Sequence, residues 1–207
     1  MVLGEGHHDP LIVFVGDGPG ERENASGKPF VGDPGIQLNQ IIASVTKDEQ
    51  IRSTLKTNPV PWDHVRQLMY ERERIYLTNA VLCGPSGDKP TAEQLKQCRD
   101  RLMYEIYHLD PVLVVPLGAK AIAALTGDEP PITKVRGKTT EFMVPGRQMS
   151  LPYVMLPTFH PAYIFMNRDF YDPLGDGQKM VEDIRSAFDI ADLYCGHVFG
   201  TRRQERD

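Results

Sequence analysis

Apolar residues in this chain fall into two patterns. Some form short unbroken runs, and others recur every third or fourth position along longer polar stretches. Leu11 to Val15 is the first run, and it stops abruptly at Gly16-Asp17-Gly18-Pro19-Gly20. This reads as a buried parallel strand ending in a sharp turn. Asp33 and Pro34 then open a helix: Asp33 can cap free N–H groups, and Pro34 suits the first helical position. Leu38, Ile41, Ile42 and Val45 follow at helical spacing and give it one apolar face.

The remaining elements follow the same two patterns. Met1 to Asp9 is polar and reads as a loop. Thr46 to Glu73 is long and polar, with Asp63 to Glu73 a short helix; residues 46–74 read as an insertion of unassigned role. Ile75 to Val81 is the second strand, with Asn79 near its carboxyl end. Thr91 caps a long helix and Gln94 completes a capping box. Its stripe is Leu95, Cys98, Leu102, Ile106 and Leu109, and Asp110-Pro111 ends it. Val112 to Pro116 is the third strand, and an alanine-rich helix runs from Gly118 to about Gly127. Ile132 to Met143 reads as a basic hairpin, Tyr153 to Leu156 as the fourth strand, and Gly177 to Leu193 as the last helix.

Strands alternating with helices imply a parallel sheet covered on both faces. The predicted fold is therefore α/β: one three-layer α/β/α domain over residues 1–207, with a central four-stranded parallel sheet. Open sheets of this kind bind ligands beyond the carboxyl ends of their strands. Three such ends present Asp17, Asn79 and His160.

Composition narrows the function only a little. No run reaches the length of a membrane span and no secretory signal opens the chain, so the expectation is a cytoplasmic monomer with no membrane partner. Cys83, Cys98 and Cys195 do not suggest a disulfide framework. A net charge of −5 gives no global support for nucleic-acid binding, so any such contact needs a local basic face. Lys134, Arg136, Lys138, Arg168, Arg202 and Arg203 are the candidates, although composition alone favours plain solvated surface.

Two linked blocks carry a resemblance: Gly16-Asp17-Gly18-Pro19-Gly20, then Gly27-Lys28-Pro29-Phe30-Val31-Gly32. Together they resemble the uracil-DNA glycosylase superfamily, most closely its family 4, the iron–sulfur branch. There the acid of the first block is usually Glu, where this chain has Asp17. The likeness continues through Thr78 to Cys83, Pro90 to Cys98, Val112 to Ala121, Val135-Arg136-Gly137-Lys138, and Pro157 to Tyr163. It covers nearly the whole chain apart from the insertion and the tail.

The resemblance implies excision of uracil from DNA, single- or double-stranded, with the base first flipped out of the stack. In that reading Gly16, Gly18 and Gly20 shape the pocket and Phe30 stacks on the ring. Asn79 offers a donor and an acceptor to uracil O4 and N3–H, the opposite of what cytosine needs. His160 donates to uracil O2 as negative charge develops there. Asp17 stabilises the sugar cation or positions water. The turn Pro161-Ala162-Tyr163-Ile164-Phe165 wedges into the duplex, with Arg136, Lys138 and Arg168 contacting DNA. Gly20 stands where one branch of the superfamily has a tyrosine that excludes thymine. The expected base is therefore uracil first and a 5-substituted uracil second.

Taken singly, these residues have plainer roles: Phe30 in the core, Asn79 as a cap, Asp17 closing a turn, His160 structural. Family 4 holds a 4Fe-4S cluster with four cysteines. Cys83 and Cys98 match one pair and the other is absent, so no cluster is expected unless the missing pair is replaced. Cys98 also fits its helix as a core thiol. The competing reading keeps the fold as a nucleic-acid-binding or base-modifying protein without uracil excision. A dinucleotide site ranks lowest: that fingerprint wants a third glycine three residues after Gly18, where Glu21 stands, and Pro19 lacks an N–H.

Overall fold

Ile12, Val13, Phe14 and Val15 are all fully buried, two on each side of a strand, and that double burial organises the layers. The computed structural model describes residues 1–84, 89–144, 152–167 and 175–198. Along the chain these form β1 (Glu5–Gly6), β2 (Ile12–Gly16), α1 (Glu21–Ser26), α2 (Asp33–Val45), α3 (Glu49–Thr54), α4 (Trp62–Arg72), β3 (Ile75–Asn79) and α5 (Ala92–Leu109). Then come β4 (Leu113–Pro116), α6 (Ala119–Thr126), α7 (Ile132–Val135), β5 (Thr140–Phe142), β6 (Tyr153–Met155), α8 (Pro161–Asn167) and α9 (Asp176–Val198).

The described strands make one sheet in the order β1-β3-β2-β4-β6-β5. Its centre is the expected four parallel strands, β3, β2, β4 and β6. Each edge carries a further short antiparallel strand outside those four. Ile12 and Phe14 face α2, α4, α8 and α9, while Val13 and Val15 face α5 and α6. Each of these side chains contributes about 1.5–3 kcal/mol by leaving water.

The long helix α5 begins as its sequence says: Thr91 accepts from the Gln94 N–H, and Gln94 returns a bond to the Thr91 N–H. Other expectations need correction. Residues 132–143 do not form a hairpin. Residues 132–135 make one helical turn, and 140–142 pair with β6 instead of folding back locally. Gly137, at φ +68°, donates its N–H to the Pro157 carbonyl. The segment 1–9 contributes β1, with His7 N–H bonded to the Ile75 carbonyl. Asp33 does not cap α2. Gly32 is the cap residue, and Asp33 pairs with Arg22 at 2.5 Å.

The segment 46–74 is more than a polar excursion. Ile51, Val65 and Met69 are fully buried in the larger core cluster, and α4 packs against β1, β3 and α2.

Candidate active site

Three parallel strand ends and one glycine-rich loop build a cleft of about 390 Å3. Asp17, Gly18, Gly20, Phe30, Asn79 and His160 line it, beside Pro161 and Met166. Asp17 and Asn79 are neighbours because β2 and β3 run in register: Gly16 faces Asn79, and the N–H groups of Ala80 and Val81 bond to the carbonyls of Gly16 and Asp17. His160 arrives from the loop after β6, on the far side of β4 from β2. Thr158 bridges Leu117, and the Gly118 N–H donates to the Thr158 carbonyl at 2.9 Å. Gly118, at φ +89°, lies between His160 and Asp17; a Cβ there would be 3.1 Å from His160 Cβ and 3.8 Å from Asp17 Oδ1.

Each polar group is held in a defined state. The Asp17 carboxylate takes the Ala121 N–H at the start of α6, while its Oδ1 is buried without a partner. Burial pushes the Asp17 acid above its ordinary value, and the nearby His160 (were it protonated), Lys89 and Lys120 oppose that rise. His160 Nδ1 lies 3.1 Å from the Ala162 N–H. Nδ1 therefore accepts, which assigns the ring proton to Nε2. Burial holds the His160 pKa below that of a free imidazole, so the ring is neutral, and the Asp17 charge only partly offsets this. Asn79 is 3 % exposed, with its backbone carbonyl held by Arg101 at 2.7 Å.

Phe30 is the strained member. It is buried, yet takes φ +54°, a left-handed conformation unfavourable for a residue with a side chain. Two glycines make room for it. A Cβ at Gly16 would lie 2.7 Å from Phe30 Cζ, and one at Gly35 would overlap the Phe30 backbone.

The other expected residues divide. Pro161 lines the cleft, and Tyr163 is exposed with its hydroxyl on Asp176 at 3.0 Å. Ile164 is fully buried in the core, while Phe165 and Met166 are the exposed apolar side chains of α8. Arg136 turns inward: its Nε bonds to Asp183 Oδ2 at 2.9 Å, and its guanidinium lies over the Phe159 ring. Lys138 is exposed and bonds to the Lys134 carbonyl. Arg168, Arg202 and Arg203 lie outside the described residues, as does the side chain of Cys195.

Sequence reasoning missed Lys89 and Glu23, which also line the cleft. Glu23 Oε1 accepts from the Val31 N–H at 2.9 Å and the Gly32 N–H at 2.6 Å. No periodicity marks a buried carboxylate within the polar run Glu21 to Ser26.

A doubly covered, mostly parallel sheet with a cleft at the carboxyl ends of its strands is the arrangement in which α/β enzymes hold their ligands. The family model of the Uracil DNA glycosylase superfamily matches residues 3–185, and the chain belongs to that superfamily. It is 34 % identical over 170 residues to a type-4 uracil-DNA glycosylase of Thermotoga maritima, covering 81 % of this chain and 73 % of the relative. It is 29 % identical over 188 residues to that of Sulfurisphaera tokodaii, covering 88 % and 74 %. A type-5 uracil-DNA glycosylase of Thermus thermophilus matches at 34 % over 127 residues, 60 % of this chain and 53 % of the relative.

The resemblance to family 4 raises the question of its cluster. A 4Fe-4S centre takes four thiolates, and the sequence carries three cysteines. Cys83 is exposed, Cys98 is half-buried on α5, and no group of three or more potential metal ligands occurs among the described residues. The residues described do not supply the ligand set of such a cluster. No helix among the described residues is long and apolar enough to cross a membrane.

Proposed function

We propose that this protein is a monofunctional DNA glycosylase that hydrolyses the N-glycosidic bond of deoxyuridine and leaves an abasic site. The observation that carries this reading is the meeting of Asp17, Phe30, Asn79 and His160 in one cleft. The extruded base stacks on Phe30, and the Asn79 amide pairs with O4 and N3–H. The C1′–N1 bond breaks with its electron pair going to uracil. Neutral His160 donates its Nε2–H to O2 as that charge grows, and no proton has to be removed first. Asp17 faces the cationic sugar and orients water. The water oxygen bonds to C1′, and its proton neutralises the departing base.

DNA enters beside α8. Phe165 and Met166 are exposed at 48 % and 78 %, and Met166 also lines the cleft. They are the apolar wedge that this reading needs, a role that Ile164 cannot fill from the core. Lys89, exposed at the cleft wall, and Lys138 supply positive charge for phosphates.

One observation favours a second substrate. Gly20 lines the cleft and has no side chain to project into it, the space behind it being taken by Glu23 Oε2. A 5-substituted uracil such as 5-hydroxymethyluracil is therefore the second candidate. Base release from single-stranded and duplex oligonucleotides, each carrying one uracil or one 5-hydroxymethyluracil, tests both. Release at uracil that disappears in Asn79→Ala and His160→Ala supports the assignment. No release from folded protein favours the binding or base-modifying reading instead.

A further inference from the structure

Arg66 sits in the segment 46–74, to which the sequence reading gave no role. It lies on α4 and is 6 % exposed, with its guanidinium inside the protein. Nη2 donates to the Pro29 carbonyl at 2.9 Å and to the Tyr70 hydroxyl at 2.8 Å, and pairs with the Glu5 carboxylate 3.2 Å away. Nε is buried with no partner. Burying a guanidinium that is incompletely satisfied is costly. Val65, Leu68 and Met69 already anchor α4 to the core, so an apolar residue at 66 would dock the helix as well. Only a donor can hold the Pro29 carbonyl.

That carbonyl belongs to the peptide leading directly into Phe30. The far side of Phe30 is held by the opposite charge, since Glu23 takes the N–H groups of Val31 and Gly32. Asn39 Nδ2 reaches the Phe30 carbonyl at 3.4 Å. A residue at φ +54° persists only where its surroundings over-determine it. Here a buried cation and a buried carboxylate grip the peptides on either side.

We infer that Arg66 is a positioning residue for the base-stacking wall. Through it, the inserted helix α4 sets the Pro29–Phe30 peptide and keeps the Phe30 ring turned into the cleft. The inference rests on the reading of Phe30 as the ring that meets the extruded base. Its partner Tyr70 serves as a neutral oxygen, its pKa pushed up to about 12 by burial.

The test uses the full chain with Arg66→Met, Arg66→Lys and, as a control for simple loss of stability, Met69→Ala. Three quantities are read: single-turnover uracil release at saturating protein, affinity for uracil-free duplex, and amide hydrogen exchange across residues 28–32. Arg66→Met should slow release about tenfold, the loss expected for one charged hydrogen bond, with duplex affinity unchanged within about twofold. Exchange across 28–32 should quicken. Arg66→Lys keeps the charge without the fork and should recover part of the rate. It carries the same readouts if Arg66→Met does not fold. Met69→Ala should lower the melting temperature yet release uracil at the native rate below its transition.

Unchanged release and unchanged exchange in the Arg66 variants would overturn the inference. So would a loss of rate in Met69→Ala equal to that in Arg66→Met. If the native protein releases no uracil, the glycosylase reading fails by itself. Exchange across 28–32 then decides alone whether Arg66 positions the Phe30 segment.

Discussion

Gly16 and Asn79 face each other across β2 and β3, and the Asn79 amide fills the space that a side chain at position 16 would need. The same missing side chain admits Phe30, whose Cζ would lie 2.7 Å from a Cβ there. Gly16→Ala therefore strikes the base-reading amide and the stacking ring together. The expected outcome is a loss of about 1–3 kcal/mol in stability from overpacking. Uracil release should fall more steeply, about a hundredfold or more, because small displacements of positioning groups are costly to rate. Chemical denaturation and single-turnover kinetics measure the two effects separately.

Asp17 shows a conflict between stability and activity. Its acid is raised above 3.8 by burial. The folded state thus holds the proton more tightly than the unfolded state, and the ionised group opposes folding once pH exceeds the unfolded value. Asp17→Asn should melt at a higher temperature than the native protein at neutral pH while losing most uracil release. Thermal melts at pH 7 alongside the release assay check this.

Glu73 sets a pH slope away from the chemistry. Burial, then the nearby charges of Asp48 and Asp192, push it up from 4.5 to about 7, and Thr46 donates its hydroxyl to it. A raised carboxylate stabilises the fold below its unfolded pKa, and that stabilisation is lost as pH climbs through the folded value. Melting temperature should therefore decline between pH 4.5 and about 7 on account of this group. Glu73→Gln should flatten that part of the profile.

Arg136 gives a test that separates structure from DNA contact. It pairs with Asp183, which is 3 % exposed and also receives the Thr158 hydroxyl at 2.6 Å. Arg136→Ala leaves that carboxylate buried without its counter-charge, at a cost of about 3 kcal/mol. Denaturation should register the loss. The salt dependence of duplex binding should stay the same, whereas losing a phosphate contact would lower its slope by roughly one.

Met166 should matter only where a duplex must be opened. Met166→Ala is expected to slow release from duplex DNA by about tenfold and to leave single-stranded substrate nearly untouched, because unstacking a paired base costs a few kcal/mol. Parallel assays on the two substrates decide it.

Much of this was readable from local pattern. The run Leu11–Val15 and its glycine stop, the Thr91–Gln94 box and the three later strands all came out as elements where expected. Their signals are carried by neighbours in sequence: periodicity, caps and turn residues. The residues 132–143 misled because their partners are distant in sequence: Gly137 bonds to Pro157, and 140–142 pair with the Tyr153–Met155 strand. The same holds for Ile164, which shares a turn with exposed residues yet faces α2 and the core.

By itself the sequence determined the alternation of strands and helices, and hence the layers and the edge at which Asp17, Asn79 and His160 emerge. Tertiary structure alone decided the rest. It set the neutral Nε2–H form of His160, by placing the Ala162 N–H on Nδ1. It turned Arg136 inward to Asp183, and it brought Arg66 and Glu23 to either side of Phe30. The division has a physical cause. Helix and strand formation follow from spacing along the chain, whereas the state of a buried charge depends on which distant groups close around it.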